Sequence, residues 1–334
     1  MAPNPMVGAV LVRNSDEQIL AEGWHERYGE GHAEVNCFRK VESREPRVES
    51  FKDCTLFVSL EPCSHYGKTP PCAKLIIEKG VGRVVVGMLD PNPLVAGKGV
   101  KMLRDAGIEV VVGVLENECR ELNKRFLCLH EKKRPYVILK WAETADGFLD
   151  RKRRIGKGSM VNSEHLNGAL AISTPETKKI VHRMRAENMA IMVGTNTVLL
   201  DNPRLLNTHW EGRNPIRVTL DRHNRIPADA RIFSDENGVI EPFSGGEIET
   251  IVYRERTDWP YVLSDLASRN IHSILVEGGA TLLNHILETG IWDEIHVEVA
   301  PEITIGEGVA APKIALPEAY ELVDGHRLYT IVRK

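Results

Sequence analysis

The sequence predicts an α/β protein built in two parts, and three observations carry that prediction. The chain has 334 residues, more than one hydrophobic core comfortably serves. Short β-branched runs alternate with helical stretches in the first 130 residues, and a second alternation follows from 135 to the end. Between them lies "EKKRP" at 131–135, a charged stretch ending in proline that suits a linker.

Taken in order, "VGAVLVRN" and "QILAEGW" read as strands joined by the polar turn "NSDE". "HAEVNCFRKV" is helical, "TLFVSL" a short buried strand, and "CAKLIIEKG" a helix closed by Gly80. "RVVVGM" is a strand, "GVKMLRDAG" a helix ending at Gly107, "IEVVVGV" a strand and "ENECRELNKRFLCLH" one closing helix. That order implies a mostly parallel sheet covered on both faces.

In the second part "PYVILKWAETADG" opens as a strand. "STPETKKIVHRMRAE" is a helix, with Ser173 and Glu176 at capping-box spacing and Pro175 in the first turn. "MAIMVG", "PIRVTLD", "ETIVYRE", "HSILVEGG" and "DEIHVEVAPEI" read as strands, with helices near 263–269 and 280–289. "YELVDGHRLYTIVRK" signals a hairpin turning at Asp324-Gly325. The basic run "RKRRIGKG" at 151–158 reads as a solvated loop, with phosphate binding as the second reading.

Composition narrows the function classes. Hydrophobic residues make up 42% and charged residues 27%, as in an ordinary soluble globular protein. A net charge of −4 gives no general attraction to nucleic acid or to an anionic membrane. No apolar run approaches the roughly 18 residues of a membrane helix. The opening "MAPNPMVGAVLV" lacks a signal-peptide pattern, so a cytoplasmic protein is expected. The six cysteines (37, 54, 63, 72, 119 and 128) fit metal ligands or buried thiols better than a disulfide framework.

His32 and Glu34 open one helix, and Cys63 and Cys72 flank a turn leading into the next. One imidazole and two thiolates supply three positions of tetrahedral zinc and leave the fourth open, which is the catalytic rather than the structural arrangement. Glu34 stands close enough to move a proton without ligating. A His-x-Glu alone is common, and Cys-x8-Cys is looser than Cys-x2-Cys. His-Ala-Glu opening a helix, then Glu-Pro-Cys after a strand, is the H-x-E…P-C…C pattern of zinc deaminases. Cys37, Cys54, Cys119 and Cys128 read as small buried residues, with Cys37 near enough to line the site.

"PNPMVGAV", "HAEVN", "EPCSHYGKTPPC" and "GMLDPNPLVAGKG" resemble the deaminase half of the bifunctional riboflavin-biosynthesis deaminase/reductase family. "LKWAETADG", "HRMRAE", "VGTNTVLLDNPRL" and "LVEGGATLLNHIL" resemble its reductase half, and the likeness spans nearly the whole chain. The resemblance implies a cytidine-deaminase-like three-layer α/β/α domain at 1–130 and a dihydrofolate-reductase-like α/β domain at 135–334. It implies deamination of a diamino-pyrimidinone ribosylamine phosphate, then reduction of its ribose to ribitol with NADPH. His32, Cys63 and Cys72 would hold zinc and Glu34 would be the proton shuttle. Asn4 would meet the pyrimidine edge, with a turn-stabilising role as the alternative; Lys68 would meet the substrate phosphate, with a solvated lysine as the alternative; His25 would line the mouth. In the reductase, Thr197 and Asp201 match NADP contacts, and Arg185, Leu205 and Glu277 match substrate contacts. Gly279, Ala280, Thr281 and Leu282 would cradle the diphosphate at a helix start, where backbone N–H groups are free. No GxGxxG follows a strand, which argues against a Rossmann cofactor site.

The chain also departs from the family. Members carry a further N-terminal helix before the "PNP" loop, and this chain begins almost at that loop. Exposed apolar sheet surface and a poorly held Asn4 are the expectation, from a start placed too late or a weakened deaminase. Thr208 and His209 stand where the family has an arginine near the substrate phosphate, so Arg185 becomes the first candidate anchor. Ala171 replaces a tryptophan near the cofactor, Asn202 replaces the second Asp of an Asp-Asp-Pro, and 151–170 is longer and more basic. The rival readings are a deaminase carrying a silent reductase fold, a nucleic-acid-editing deaminase and a non-catalytic zinc-stabilised module. Homo-oligomerisation is left open.

Overall fold

The computed structural model describes residues 4–27, 29–43, 50–65, 70–92, 96–153, 168–234 and 249–333. Lys68 and most of the basic run at 151–158 lie outside them. The chain divides into two compact units, Met1–Lys133 and Arg134–Lys334.

In the first unit β1 (Gly8–Arg13) and β2 (Gln18–Trp24) form a hairpin, followed by α1 (Ala33–Glu42), β3 (Cys54–Leu60), α2 (Cys72–Lys79), β4 (Arg83–Met88), α3 (Lys98–Asp105) and β5 (Glu109–Val112). Helices α4 (Glu116–Leu122) and α5 (Lys124–Lys132) close it. The sheet order is β2-β1-β3-β4-β5. β1 is antiparallel to both β2 and β3, while β3, β4 and β5 are parallel. The sheet is therefore mixed rather than mostly parallel, because β2 turns straight back beside β1 and the chain then crosses through α1 to place β3 on the other edge of β1, antiparallel to it. Alternate strand residues Leu11, Leu56, Val84 and Val86 bury one face against Phe38, Ile76 and Leu103 of the three helices α1 to α3. Leu60 and Met88, at the ends of β3 and β4, form a separate cluster with Leu127 of α5.

The single closing helix expected at 116–130 is two. The break is Asn123 (φ −105°, ψ 15°), whose buried amide accepts from Met6 N at 2.8 Å and donates to Met6 O at 3.0 Å. A polar side chain that serves a distant backbone segment this fully fixes the helix boundary and anchors the "PNPM" loop.

The second unit holds β6 (Tyr136–Thr144), β7 (Phe148–Asp150), α6 (Pro175–Glu187), β8 (Ala190–Val193), α7 (Thr195–Asp201), β9 (Ile216–Leu220), β10 (Thr250–Tyr253), α8 (Trp259–Ser268), β11 (Ser273–Val276), α9 (Ala280–Thr289), β12 (Glu294–Ala300), β13 (Val309–Ala310), β14 (Glu321–Val323) and β15 (His326–Val332). The eight-stranded sheet runs β10-β9-β8-β11-β6-β12-β15-β14. Its first six strands are parallel, β15 is antiparallel to β12, and β14 is antiparallel to β15; β7 and β13 form a separate pair. The β14–β15 turn places Asp324 (φ 49°) and Gly325 (φ 84°) in the left-handed region, as a two-residue hairpin of this twist requires.

Two helix starts differ from expectation. Thr174, not Ser173, caps α6, its hydroxyl accepting from Thr177 N at 3.2 Å. Ser173 instead donates to the buried Glu298 at 2.6 Å. Helix α8 starts at Trp259 rather than near 263, because Asp258 accepts from Tyr261 N and Pro260 occupies the first turn. Among the described residues no helix is long and apolar enough to cross a membrane.

Candidate functional site

In the first unit the local folds of three segments converge. His32 is the residue before α1, Cys72 is the first residue of α2, and Cys63 lies in the turn after β3. His32 Nδ1 stands 3.6 Å from Cys63 Sγ and 3.3 Å from Cys72 Sγ, and all three donor atoms lie within 4.8 Å of one another. Zn–N near 2.05 Å and Zn–S near 2.3 Å at a tetrahedral angle put N and S about 3.5 Å apart, so the donor set fits zinc. Cys72 N donates to Cys63 Sγ at 3.2 Å, aiming the start of α2 at that sulfur. A hydrogen bond from the Cys72 thiol, then His32 and the Cys72 N–H, hold the Cys63 thiol well below its usual range, against burial. Glu34 is 3% exposed, and burial pushes its carboxyl above the usual range, with Cys63 adding to the effect. A proton-accepting group of raised affinity beside a three-donor metal site is equipped for hydrolytic proton transfer.

Two close approaches hold this arrangement. A Cβ on Gly23 would meet Ala33 O and Cys37 N at 2.3 Å, so only glycine lets β2 run this near the start of α1. Glu61, two residues before Cys63, is buried and accepts from Gly99 N (2.8 Å), Val100 N (3.1 Å), Gly97 N (2.9 Å) and Asp90 N (3.2 Å). Its carboxylate thereby caps α3 from a distant strand end and fixes the Glu-Pro-Cys turn.

Asn4 is held rather than loose. Its Nδ2 lies 2.8 Å from His25 Nε2, and His25 Nδ1 lies 3.1 Å from Gly31 O. A carbonyl can only accept, so Nδ1 carries the proton and Nε2 accepts from Asn4. His25, expected at the mouth, is 3% exposed and packs edge-on against the His32 ring at 5.5 Å. It supports both the loop bearing Asn4 and the His32 imidazole.

The second unit contains a cavity of about 1440 Å³ at the C-terminal ends of β8, β9 and β11 and beside the middle of β6. Thr197, Asp201, Glu277 and the Gly279–Leu282 segment at the start of α9 all line it. First-turn N–H groups of a helix have no intrahelical partner, and Arg222 and Arg225 also line this wall, so the cavity suits a phosphorylated dinucleotide. Arg222 donates to Thr257 Oγ1 at 3.0 Å through Nε, and Arg225 to Asn196. Asp201 is paired with Arg153 at 2.6 Å, and the same guanidinium bonds Asp150, so Arg153 stands at the cavity rim.

Arg185 does not line the cavity; its Nε and Nη2 bond Glu277 at 2.8 and 2.6 Å and its Nη1 donates to Leu206 O at 2.9 Å. Burial alone would raise Glu277, but Arg185 outweighs it and keeps that carboxyl below the usual range. Leu205 is buried against Ile191, Val193 and Val198. Thr208 and His209 lie off the cavity and bond each other at 2.8 Å, and Thr208 N donates to His182 Nδ1 at 3.0 Å. Ala171 lines the cavity, while Asn202 (φ 42°) closes α7 and accepts from Arg231 N at 2.7 Å. Lys140, Ser173, Arg222 and Arg225 are cavity residues that the sequence reading missed. The signal for the two arginines was a basic cluster, "DRHNR", directly after a parallel strand, where such sheets place their ligands.

Residues 1–88 match the cytidine and deoxycytidylate deaminase zinc-binding region, and residues 135–318 match the RibD C-terminal domain. The riboflavin biosynthesis protein RibD of Actinobacillus pleuropneumoniae is 38% identical over 326 residues, covering 93% of this chain and 81% of that protein. Its counterpart from Aquifex aeolicus is 38% identical over 320 residues, covering 92% and 83%. The crystal structure of a diaminohydroxyphosphoribosylaminopyrimidine deaminase/5-amino-6-(5-phosphoribosylamino)uracil reductase from Thermotoga maritima matches with a TM-score of 0.80 at 35% identity, over 99% of this chain and 92% of that one. With a zinc-deaminase donor set in one unit and a cofactor-sized cavity in the other, the chain belongs to the RibD family of riboflavin biosynthesis, bifunctional enzymes joining a zinc-dependent deaminase to an NADPH-dependent reductase.

Proposed function

We propose that residues 1–130 deaminate 2,5-diamino-6-(5-phosphoribosylamino)pyrimidin-4-one and that residues 135–334 reduce the ribose of the product to ribitol. The observation that carries the first step is the His32–Cys63–Cys72 donor set with nitrogen–sulfur separations of 3.6 and 3.3 Å beside buried Glu34. When bound, zinc supplies a Lewis acid that makes water nucleophilic at neutral pH, and NADPH supplies the hydride. Glu34 takes the proton of the attacking water and returns it to the departing amine, so the amidine carbon gains oxygen and loses ammonia. Asn4, steadied by His25, presents an amide able to donate to and accept from the pyrimidine edge. Lys68 supplies a cation for the substrate phosphate.

In the reductase, Gly279, Ala280, Thr281 and Leu282 hold the diphosphate, with Thr197 and Asp201 contacting the same cofactor. Glu277 contacts the substrate at the cavity wall, and Arg185 and Leu205 shape that wall from behind. The enzyme works on a small phosphorylated pyrimidine in the cytoplasm. The test supplies the diamino-pyrimidinone and follows ammonia release and NADPH absorbance in one cuvette. Both signals in sequence are expected; ammonia without NADPH oxidation favours a deaminase with a silent reductase fold.

A further inference from the structure

Behind the reductase cavity runs a buried chain of charged groups that none of the steps above uses. Lys140, in the middle of β6, lines the cavity together with Glu277. Its Nζ pairs with Glu298 Oε2 at 3.6 Å, and the two side chains are 12% and 2% exposed. Glu298 accepts from Ser173 Oγ at 2.6 Å through the same oxygen, and its Oε1 lies 2.8 Å from His326 Nδ1. His326, 1% exposed, reaches Glu302 Oε1 at 2.7 Å with its other nitrogen.

An imidazole with a carboxylate on each nitrogen needs both protons, since a bare ring nitrogen facing a carboxylate oxygen would set two lone pairs together. His326 is thus an imidazolium, its pKa raised by Glu298 and Glu302 against the opposing effect of burial. The chain reads ammonium, carboxylate, imidazolium, carboxylate, and its signs alternate from the cavity wall to the exposed Glu302. Strand geometry places it there. Lys140 and His296 are register partners on β6 and β12, Glu298 follows two residues on along the same face, and β15 brings His326 across. Two long-range strand pairings are thereby committed to the placing of one cavity ammonium.

We propose that Glu298, braced by His326, is a positioning residue that holds the Lys140 ammonium in place for the phosphorylated, carbonyl-bearing pyrimidine during reduction. This rests on the reductase reading above. A methylene-chain ammonium without a fixed counterion samples many rotamers, so a buried carboxylate on one side selects the one that faces the cavity.

The test is a double-mutant cycle between Glu298→Gln and Lys140→Met on the full chain. The readout is the dissociation constant of 5-amino-6-(5-phosphoribosylamino)uracil in the dead-end complex with NADP+, measured by calorimetry, with deaminase turnover of the same chain as the control for folding. Glu298→Gln is expected to weaken pyrimidine binding about tenfold or more while the NADP+ affinity and deaminase rate stay near wild type. In the Lys140→Met background the same change is expected to do almost nothing. Wild-type binding in Glu298→Gln, or an equal loss with and without Lys140, overturns the proposal. If Glu298→Gln fails to fold, His326→Gln replaces it in the same cycle under the same criteria. A wild-type chain that neither binds the pyrimidine nor oxidises NADPH refutes the reductase reading instead.

Discussion

Arg185 and Glu277 form a two-point ion pair, Nε to Oε1 at 2.8 Å and Nη2 to Oε2 at 2.6 Å, although 92 residues separate them. The pair joins α6 to the segment after β11 and sets the wall of the reductase cavity. A guanidinium so engaged is not available to close on a substrate phosphate with the same two N–H groups.

Arg185→Ala should therefore act on stability as well as on turnover. Removing it leaves a buried carboxylate without its counterion, a loss of about 3–5 kcal/mol. Denaturant unfolding should show that loss in the second unit, and reductase kcat should fall together with substrate affinity. Arg185→Lys should recover only part of both, since an ammonium cannot meet the carboxylate in two parallel bonds. A purely KM effect at full stability would show that the pair is not structural.

The metal site separates binding from proton transfer. One zinc per chain is expected, lost in Cys63→Ala and Cys72→Ala and retained in Glu34→Gln. Glu34→Gln should lose about two to four orders of magnitude in deaminase rate, the usual range for removing a positioned acid–base group. Metal analysis and ammonia release on the same preparations check this, and zinc loss in Glu34→Gln would reassign that residue as a ligand.

Glu61→Gln should damage the deaminase without touching a donor atom. An amide keeps one acceptor oxygen but turns an NH2 toward backbone N–H groups that Glu61 now satisfies. Destabilisation of about 1–3 kcal/mol follows from the unmade bonds. Thermal unfolding and zinc content should fall together, and unchanged zinc content in a less stable protein would show that Glu61 serves only α3.

His182 gives a pH signature. Burial first, then Arg185 and His209, push its pKa down from 6.5 to about 4. A folded-state value below the unfolded one means that its contribution is present above pH 6.5 and is lost as the pH falls toward 4. Stability should drop by about 1–3 kcal/mol across that window. His182→Gln, which keeps an acceptor for Thr208 N, should flatten the drop; an unchanged slope in urea titrations at both ends would assign it to other groups.

What the sequence revealed and what it hid follow from chain distance. The clustering of His32, Cys63 and Cys72 was legible because zinc fixes short local patterns at helix starts and the turns before them. The hairpin at Asp324-Gly325 was legible because two left-handed residues leave few choices of amino acid. Arg185 was the first candidate phosphate anchor because Thr208 stands in the place of the family's arginine; its partner Glu277 lies 92 residues away, where periodicity carries no signal. Asn123 sat in an unbroken helical pattern, and only Met6 explains why the helix stops there. Ser173 was expected to be the cap from its spacing to Glu176, but it is engaged by the distant Glu298 and Thr174 caps the helix instead. The sheet was expected to be more parallel because strand order in sequence does not show that β1 lies between β2 and β3.

The anchoring of Cys63 through Glu61 also bears on how fast metal can come and go. In many small zinc proteins the ligands assemble only as the chain folds, so metal uptake proceeds at a folding rate. Here the turn bearing Cys63, the first residue of α2 and the residue before α1 are each fixed by contacts that do not involve the metal. A chelator should then strip the enzyme to a folded, inactive form, and added zinc should restore deamination within mixing times. Exchange with cadmium or cobalt should be equally quick, which makes the site accessible to spectroscopic metals without refolding.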